Sequence, residues 1–150
     1  MAKLPATRQN LKTAFQKHKA CYEFMQNHHD RSRRLVLFYA VESGLKVYLL
    51  DKIHKHSIED LFQHQGYSYL QDNGHDIIKM LKSANLSGQY RLKVLHGDKN
   101  IQVEPHQYHQ FWRYGLNSKN ETEEQEVEKT LYHIAEFLSQ NLTKKQIRRV

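Results

Sequence analysis

Cysteine, proline and glycine are scarce: one, two and six in 150 residues. A lone cysteine, Cys21, cannot close an intramolecular disulfide, and its helical context marks it as apolar packing. The glycines fall singly, so no phosphate-cradling loop and no dinucleotide fingerprint is present, which argues against an NTPase or a dinucleotide-dependent enzyme. No apolar segment precedes a small-residue cleavage site near the start, and the expectation is a cytoplasmic protein. The longest apolar run, Leu35 to Leu50, is short for a bilayer span and carries Glu42 and Lys46 near its centre, where charge is costly. No membrane partner is expected.

Acidic residues are also few beside basic ones: 16 Asp and Glu against 23 Lys and Arg, a formal net charge of +7 and a pI near 9.4. Such a balance favours polyanions, because Lys and Arg displace the counterions of phosphates. Eleven histidines are scattered along the chain and would add positive charge on acidification. A chain of this length forms one domain that buries roughly two thirds of its unfolded surface, enough for a core without staples.

Helical spacing of Leu11, Phe15, Cys21, Tyr22 and Met25 after Pro5 predicts a helix over about 5–28. A second covers about 31–52, apolar nearly all round and therefore central. The short connection His28-His29-Asp30 makes these two an antiparallel hairpin. Ser57 with Asp60 resembles a capping arrangement opening a short helix. Residues 66–74 read as loop, and a helix begins near His75 with Ile77, Ile78, Leu81 and Ala84 on one side. Alternation in Tyr90 to Leu95 and Ile101 to Glu104 around Gly97-Asp98-Lys99-Asn100 suggests two strands. Pro105 then starts a helical turn with Tyr108, Phe111 and Trp112 on one face, more in keeping with core than with a base-stacking platform. The last helix spans about 122–141, with acids at its positive start and Lys144, Lys145, Arg148 and Arg149 beyond its negative end. The expected fold is mainly α: an up-and-down bundle of four to five helices with a small β-hairpin insertion near residues 90–104, in one domain over 1–150 with a basic tail at 143–150.

Three segments in order, Leu37-Phe38-Tyr39-Ala40-Val41-Glu42-Ser43-Gly44-Leu45-Lys46, His75-Asp76-Ile77 and Trp112-Arg113-Tyr114, resemble the HEPN domain, a small nucleotide-binding helical bundle. The resemblance orders about two thirds of the chain. It implies a bundle of four or five helices, frequent homodimerisation, and roles in RNA cleavage, toxin and antitoxin pairs and phage defence. Ribonuclease members of that family carry an arginine followed after four to six residues by a histidine on a late helix. Here Tyr114 to Lys119 holds no histidine after Arg113, and the nearby pair with that spacing, Arg91 and His96, lies in the hairpin. The resemblance therefore implies a component that binds RNA, or a partner protein, with weak or no catalysis alone.

Metal-free RNA cleavage needs a base, an acid and a cation near phosphorus, which suits histidine and arginine. Arg91, His96, His106, His109 and Arg113 bring those types into one stretch and are the candidate catalytic residues of an alternative reading, an endoribonuclease. Arg33, Arg34, Lys144, Lys145, Arg148 and Arg149 are the candidate nucleic-acid ligands. His106 and His109, or His54 and His56, have a spacing that a metal tolerates but lack the cysteine or His-Glu partners of a convincing zinc site, so no metal or other cofactor is expected. Arg113 is also placed to pair with Glu42 or Asp76, and His75 reads as a helix-start residue. A third reading is a pure assembly subunit with an incidental basic surface.

Overall fold

The computed structural model describes residues 6–25 and 28–142. Pro5 and the basic tail at 143–150 lie outside the described residues. Among the described residues six α-helices and one two-stranded sheet follow in order: α1 (Arg8–Phe24), α2 (Asp30–Ile53), α3 (Ile58–Gln63), α4 (Ile77–Ser83), β1 (Leu95–His96), β2 (Gln102–Val103), α5 (Tyr108–Arg113) and α6 (Glu121–Leu142). The fold is the expected mainly-α bundle with a small hairpin. Three helices are long and three span only six or seven residues.

The long helices begin and end for local reasons. Thr7 caps α1, its hydroxyl accepting from the Asn10 amide while the Asn10 side chain accepts from the Thr7 amide. α1 buries a narrow stripe through Phe15 and Tyr22, and Cys21, one residue from Tyr22, is exposed. That corrects its expected packing role: adjacent residues on a helix point about 100° apart, so both cannot face the core. α2 buries residues on all sides, as its composition predicts, and stops at His54, which adopts the left-handed conformation with φ 57°.

Arg8 at the start of α1 pairs with Asp51 at the end of α2 at 2.5 Å, while Tyr22 and Arg33 both reach Glu128, so α1 and α2 are antiparallel. α6 runs beside α2 in the same direction, from Glu128 against Arg34 to Phe137 against Tyr48, whose rings are 5.7 Å apart. Gly44 lies on α2 where side chains of both α1 and α6 pack against it. A methyl group there would sit 2.8 Å from both Leu138 Cδ1 and Phe15 Cδ1. The glycine is thus required by proximity, despite its cost within a helix.

The shorter elements carry the chain between α2 and α6. Ser57 caps α3 by accepting from the Asp60 amide, as its spacing predicts. A 3-10 turn, Ser68–Gln71, occupies the expected loop. Asp76 caps α4 through the Lys79 amide, so His75 falls just ahead of the helix. Only Leu95 with Val103 and His96 with Gln102 pair as strands. The preceding residues leave the ladder, and the Lys93 carbonyl instead accepts from the Tyr108 hydroxyl. Tyr108, Phe111 and Trp112 are buried, as expected of core residues. Among the described residues no helix is long and apolar enough to cross a membrane.

Candidate functional site

An unusual polar group lies midway along α2. Glu42 and Lys46, one turn apart, face the same side of the helix, and Lys46 Nζ donates to Glu42 Oε2 at 2.7 Å. The segment leading into α4 presents His75, whose Nδ1 lies 2.9 Å from Glu42 Oε1. α5 adds His109, with its ring centroid 4.0 Å from that of His75 and stacked on Phe38 at 5.5 Å. α2 and the segment before α4 thus meet at one carboxylate, and α5 packs against the histidine that reaches it. Gly74 lets the chain approach, since a methyl group there would lie 3.3 Å from the Leu70 carbonyl and 3.4 Å from Lys46 Nζ.

The electrostatics differ from residue to residue. Burial pushes the Glu42 pKa up, but the His75 hydrogen bond and the Lys46 charge outweigh it and hold the carboxyl below its ordinary value. Glu42 is therefore ionised at neutral pH and can only accept, so His75 Nδ1 is the donor of the hydrogen bond between them. The His75 side chain is 47% exposed, whereas His109 is only 5% exposed. Burial, then the neighbouring His75 and Arg113, push the His109 pKa down to about 4, against the opposing pull of Glu42 and the His106 carbonyl. His109 is neutral at pH 7, and its buried Nδ1 has no hydrogen-bond partner among the described residues. On α1, His18 is lowered by burial and pulled back by the Glu42 charge.

The structure distributes the residues expected to be catalytic over separate places. His109 and Arg113 share α5, one turn apart. Arg113 is exposed, with its guanidinium 5.4 Å from the centroid of the Tyr114 ring. The expected pair between Arg113 and Glu42 or Asp76 does not form, because Glu42 is held by His75 and Lys46 and Asp76 by the Lys79 amide. His106 and Arg91 are exposed on the 3-10 turn before α5 and the segment before β1. His96 belongs to a different contact: its Nδ1 lies 2.9 Å from Glu123 on α6, which also accepts from the His96 amide. No group of three or more metal-ligating side chains occurs among the described residues.

Two of the expected phosphate ligands are committed elsewhere. Arg34 is 1% exposed and meets Glu128 at 2.7 Å, Glu121 at 2.9 Å and Glu124 at 3.2 Å. Arg33 meets Glu128 at 2.8 Å and Asp30 at 2.7 Å. Carboxylates from α6 take the place expected for phosphates, which corrects the reading of both arginines. Trp112 Nε1 and the Tyr22 hydroxyl donate to Glu124 and Glu128 of the same cluster. A cleft of about 680 Å³ opens above it between the starts of α2 and α6, lined in part by His29, Arg31, Asn117 and Ser118. Lys144, Lys145, Arg148 and Arg149 lie outside the described residues.

Glu42 and His75, which the sequence reading weighed as structural residues, lie at the centre of this group. Their signals were an acid inside an apolar helix and a histidine beside a cap, each ordinary alone. No protein-family model, curated protein or solved structure matches this chain.

Proposed function

We propose that this chain is a HEPN-like helical component of a prokaryotic defence or toxin and antitoxin system that engages RNA in preference to DNA. It acts as a homodimer or with an operon-encoded protein partner. One observation carries this reading: the first two sequence segments that resemble the family meet at a polar centre, and the helix that ends in the third packs a histidine against it. Glu42 and Lys46 come from the first, His75 from the second, and His109 from the helix that ends in the third. The net charge of +7 supplies the long-range attraction to a phosphate backbone. A contact face for the protein partner is supplied by Ile101, Tyr114 and Leu116, large apolar side chains left exposed around one surface depression.

The test is the affinity of the purified protein for labelled single-stranded RNA and for DNA of the same sequence, measured over a range of salt. RNA is expected to bind more tightly, and log K to fall linearly with log salt with a slope near −0.7 for each phosphate contacted. Equal affinity for both strands would remove the RNA preference. Absence of any salt-dependent binding, with a dimer still present in sedimentation, would leave a pure assembly role instead.

A further inference from the structure

We propose that the outer edge of β2 and the groove beside it dock an extended segment of an acidic partner protein, which adds to the sheet as a third strand. This inference rests on the protein-partner reading above and names the place and the kind of segment that fills it.

The two edges of the hairpin differ in how the fold treats them. The Gly97 amide donates to the Ile101 carbonyl at 2.8 Å, and Leu95 and His96 stand opposite Val103 and Gln102. Hydrogen-bonded and non-bonded pairs alternate along an antiparallel ladder, so the backbone N–H and C=O of His96 and of Gln102 both point away from the neighbouring strand. On the β1 side the chain itself takes them up: the His96 amide donates to Glu123 at 3.1 Å, and the His96 carbonyl accepts from the Lys119 amide at 2.8 Å. On the β2 side Gln102 is exposed, and among the described residues nothing closes onto its outward N–H and C=O. A donor and an acceptor side by side on one extended residue are what an added strand pairs with.

The surface beside that edge sets what the segment carries. A groove of about 150 Å³ opens between β2 and α5, lined by Ile101, Gln102, Gln110, Phe111, Tyr114 and Leu116 among others. Among the described residues no charged side chain lines it. Its volume is about that of a cavity that holds one benzene ring, enough for a single large apolar side chain. A strand sends every second side chain to one face, so one such residue enters the groove while its neighbours run along Gln102. A charged residue there would lose water without gaining a counter-charge. Away from the groove the chain carries its net charge of +7, which draws an acidic protein at long range and opposes a second copy with the same charge.

The experiment selects peptides from a displayed random library on the full chain, then measures their affinity for the wild type and for Gln102→Pro. Proline removes the outward N–H and spares the bonds to β1, and Ile101 ahead of it already has ψ 133°, within the range that a residue before proline takes. The selected peptides are expected to hold uncharged β-branched or aromatic residues flanked by acids, and to slow hydrogen exchange at the Gln102 amide when bound. They should lose about tenfold or more in affinity for Gln102→Pro, the equivalent of one or two hydrogen bonds. Ile101→Glu, at an exposed position, should weaken them similarly and decides the matter if the proline variant does not fold. No enriched peptide, or peptides that bind both variants as tightly as wild type, overturns the inference. A wild-type dimer in sedimentation that Gln102→Pro dissociates gives the edge to a second copy and also overturns it. A complex with the operon-encoded protein that both variants leave intact overturns it while the partner reading stands; the absence of selected peptides, complex and dimer alike overturns both.

Discussion

At the start of α2, Arg34 spreads its guanidinium over three carboxylates of α6, and Arg33, Tyr22 and Trp112 take up positions on two of them. About two turns further along the same helix, Glu42 is also buried but accepts its hydrogen bonds from a lysine and a half-exposed histidine, beside the buried ring of a second histidine. The first cluster is closed, with opposite charges paired, and its natural role is to fix the register of α1, α2 and α6. The second is open toward solvent and incompletely satisfied.

The closed cluster should be the more costly to break. Glu128→Ala removes the acceptor of Arg33, Arg34 and Tyr22 together, and leaves a buried guanidinium short of a counter-charge. A loss of about 3–5 kcal/mol is expected in denaturant unfolding. A loss near that of an exposed ion pair would show that the cluster is solvated and that the contrast is false. Gly44→Ala, two residues beyond Glu42 on α2, should cost about 1–3 kcal/mol by forcing Phe15 and Leu138 apart, read as a lower midpoint at unchanged slope.

Acid should separate the two clusters along the pH axis. An unfolded histidine takes its proton near 6.5, while His109 in the fold stays neutral down to about 4. Below 6.5 the unfolded state therefore binds more protons, and stability falls as pH drops through that window. Glu128 and Glu42 have depressed pKa values: Glu128 through Arg33, Tyr22 and Arg34, Glu42 through His75 and Lys46, in both cases against burial. Their contribution is present above the ordinary carboxylate value of 4.5 and is lost only as pH falls through the lower folded values. His109→Phe should thus lessen the slope of unfolding stability between pH 6.5 and 4, leaving the part that comes from His18, also held below its ordinary value by burial, and the loss at lower pH. A wild-type profile that is already flat there would show that His109 is not held neutral.

The smallest effect is expected outside both clusters. Lys93 and Glu126 form an exposed pair between the hairpin segment and α6. Lys93→Ala should leave the thermal midpoint in place, as exposed pairs do. A measurable drop would mean that this surface contributes to holding the hairpin.

The comparison also explains which parts of the molecule were legible beforehand. α2 was visible because an apolar run with an acid and a base four residues apart can hardly be anything but a buried helix. Ser57 and the acid-rich start of α6 were visible because caps and dipoles act over one turn. The hairpin was visible only at its tip: alternation from Tyr90 onward suggested longer strands, but the Lys93 carbonyl goes to Tyr108 instead of to a neighbouring strand. Arg33 and Arg34 looked like surface cations because their charge was readable and their destination was not. His75 looked like a helix-start residue for the same reason.

By itself the sequence determined the helical class, the central place of α2, the short hairpin and most helix boundaries, since periodicity, capping and turn chemistry are settled within a few residues. The tertiary structure alone decided which charges are closed and which are open. His75 meets Glu42 across 33 positions and Arg34 meets Glu128 across 94, and no local pattern encodes partners so far apart. Whether a buried charge is structural or reactive depends on what the fold brings against it, because the desolvation that makes it costly and the partner that offsets that cost both come from distant parts of the chain.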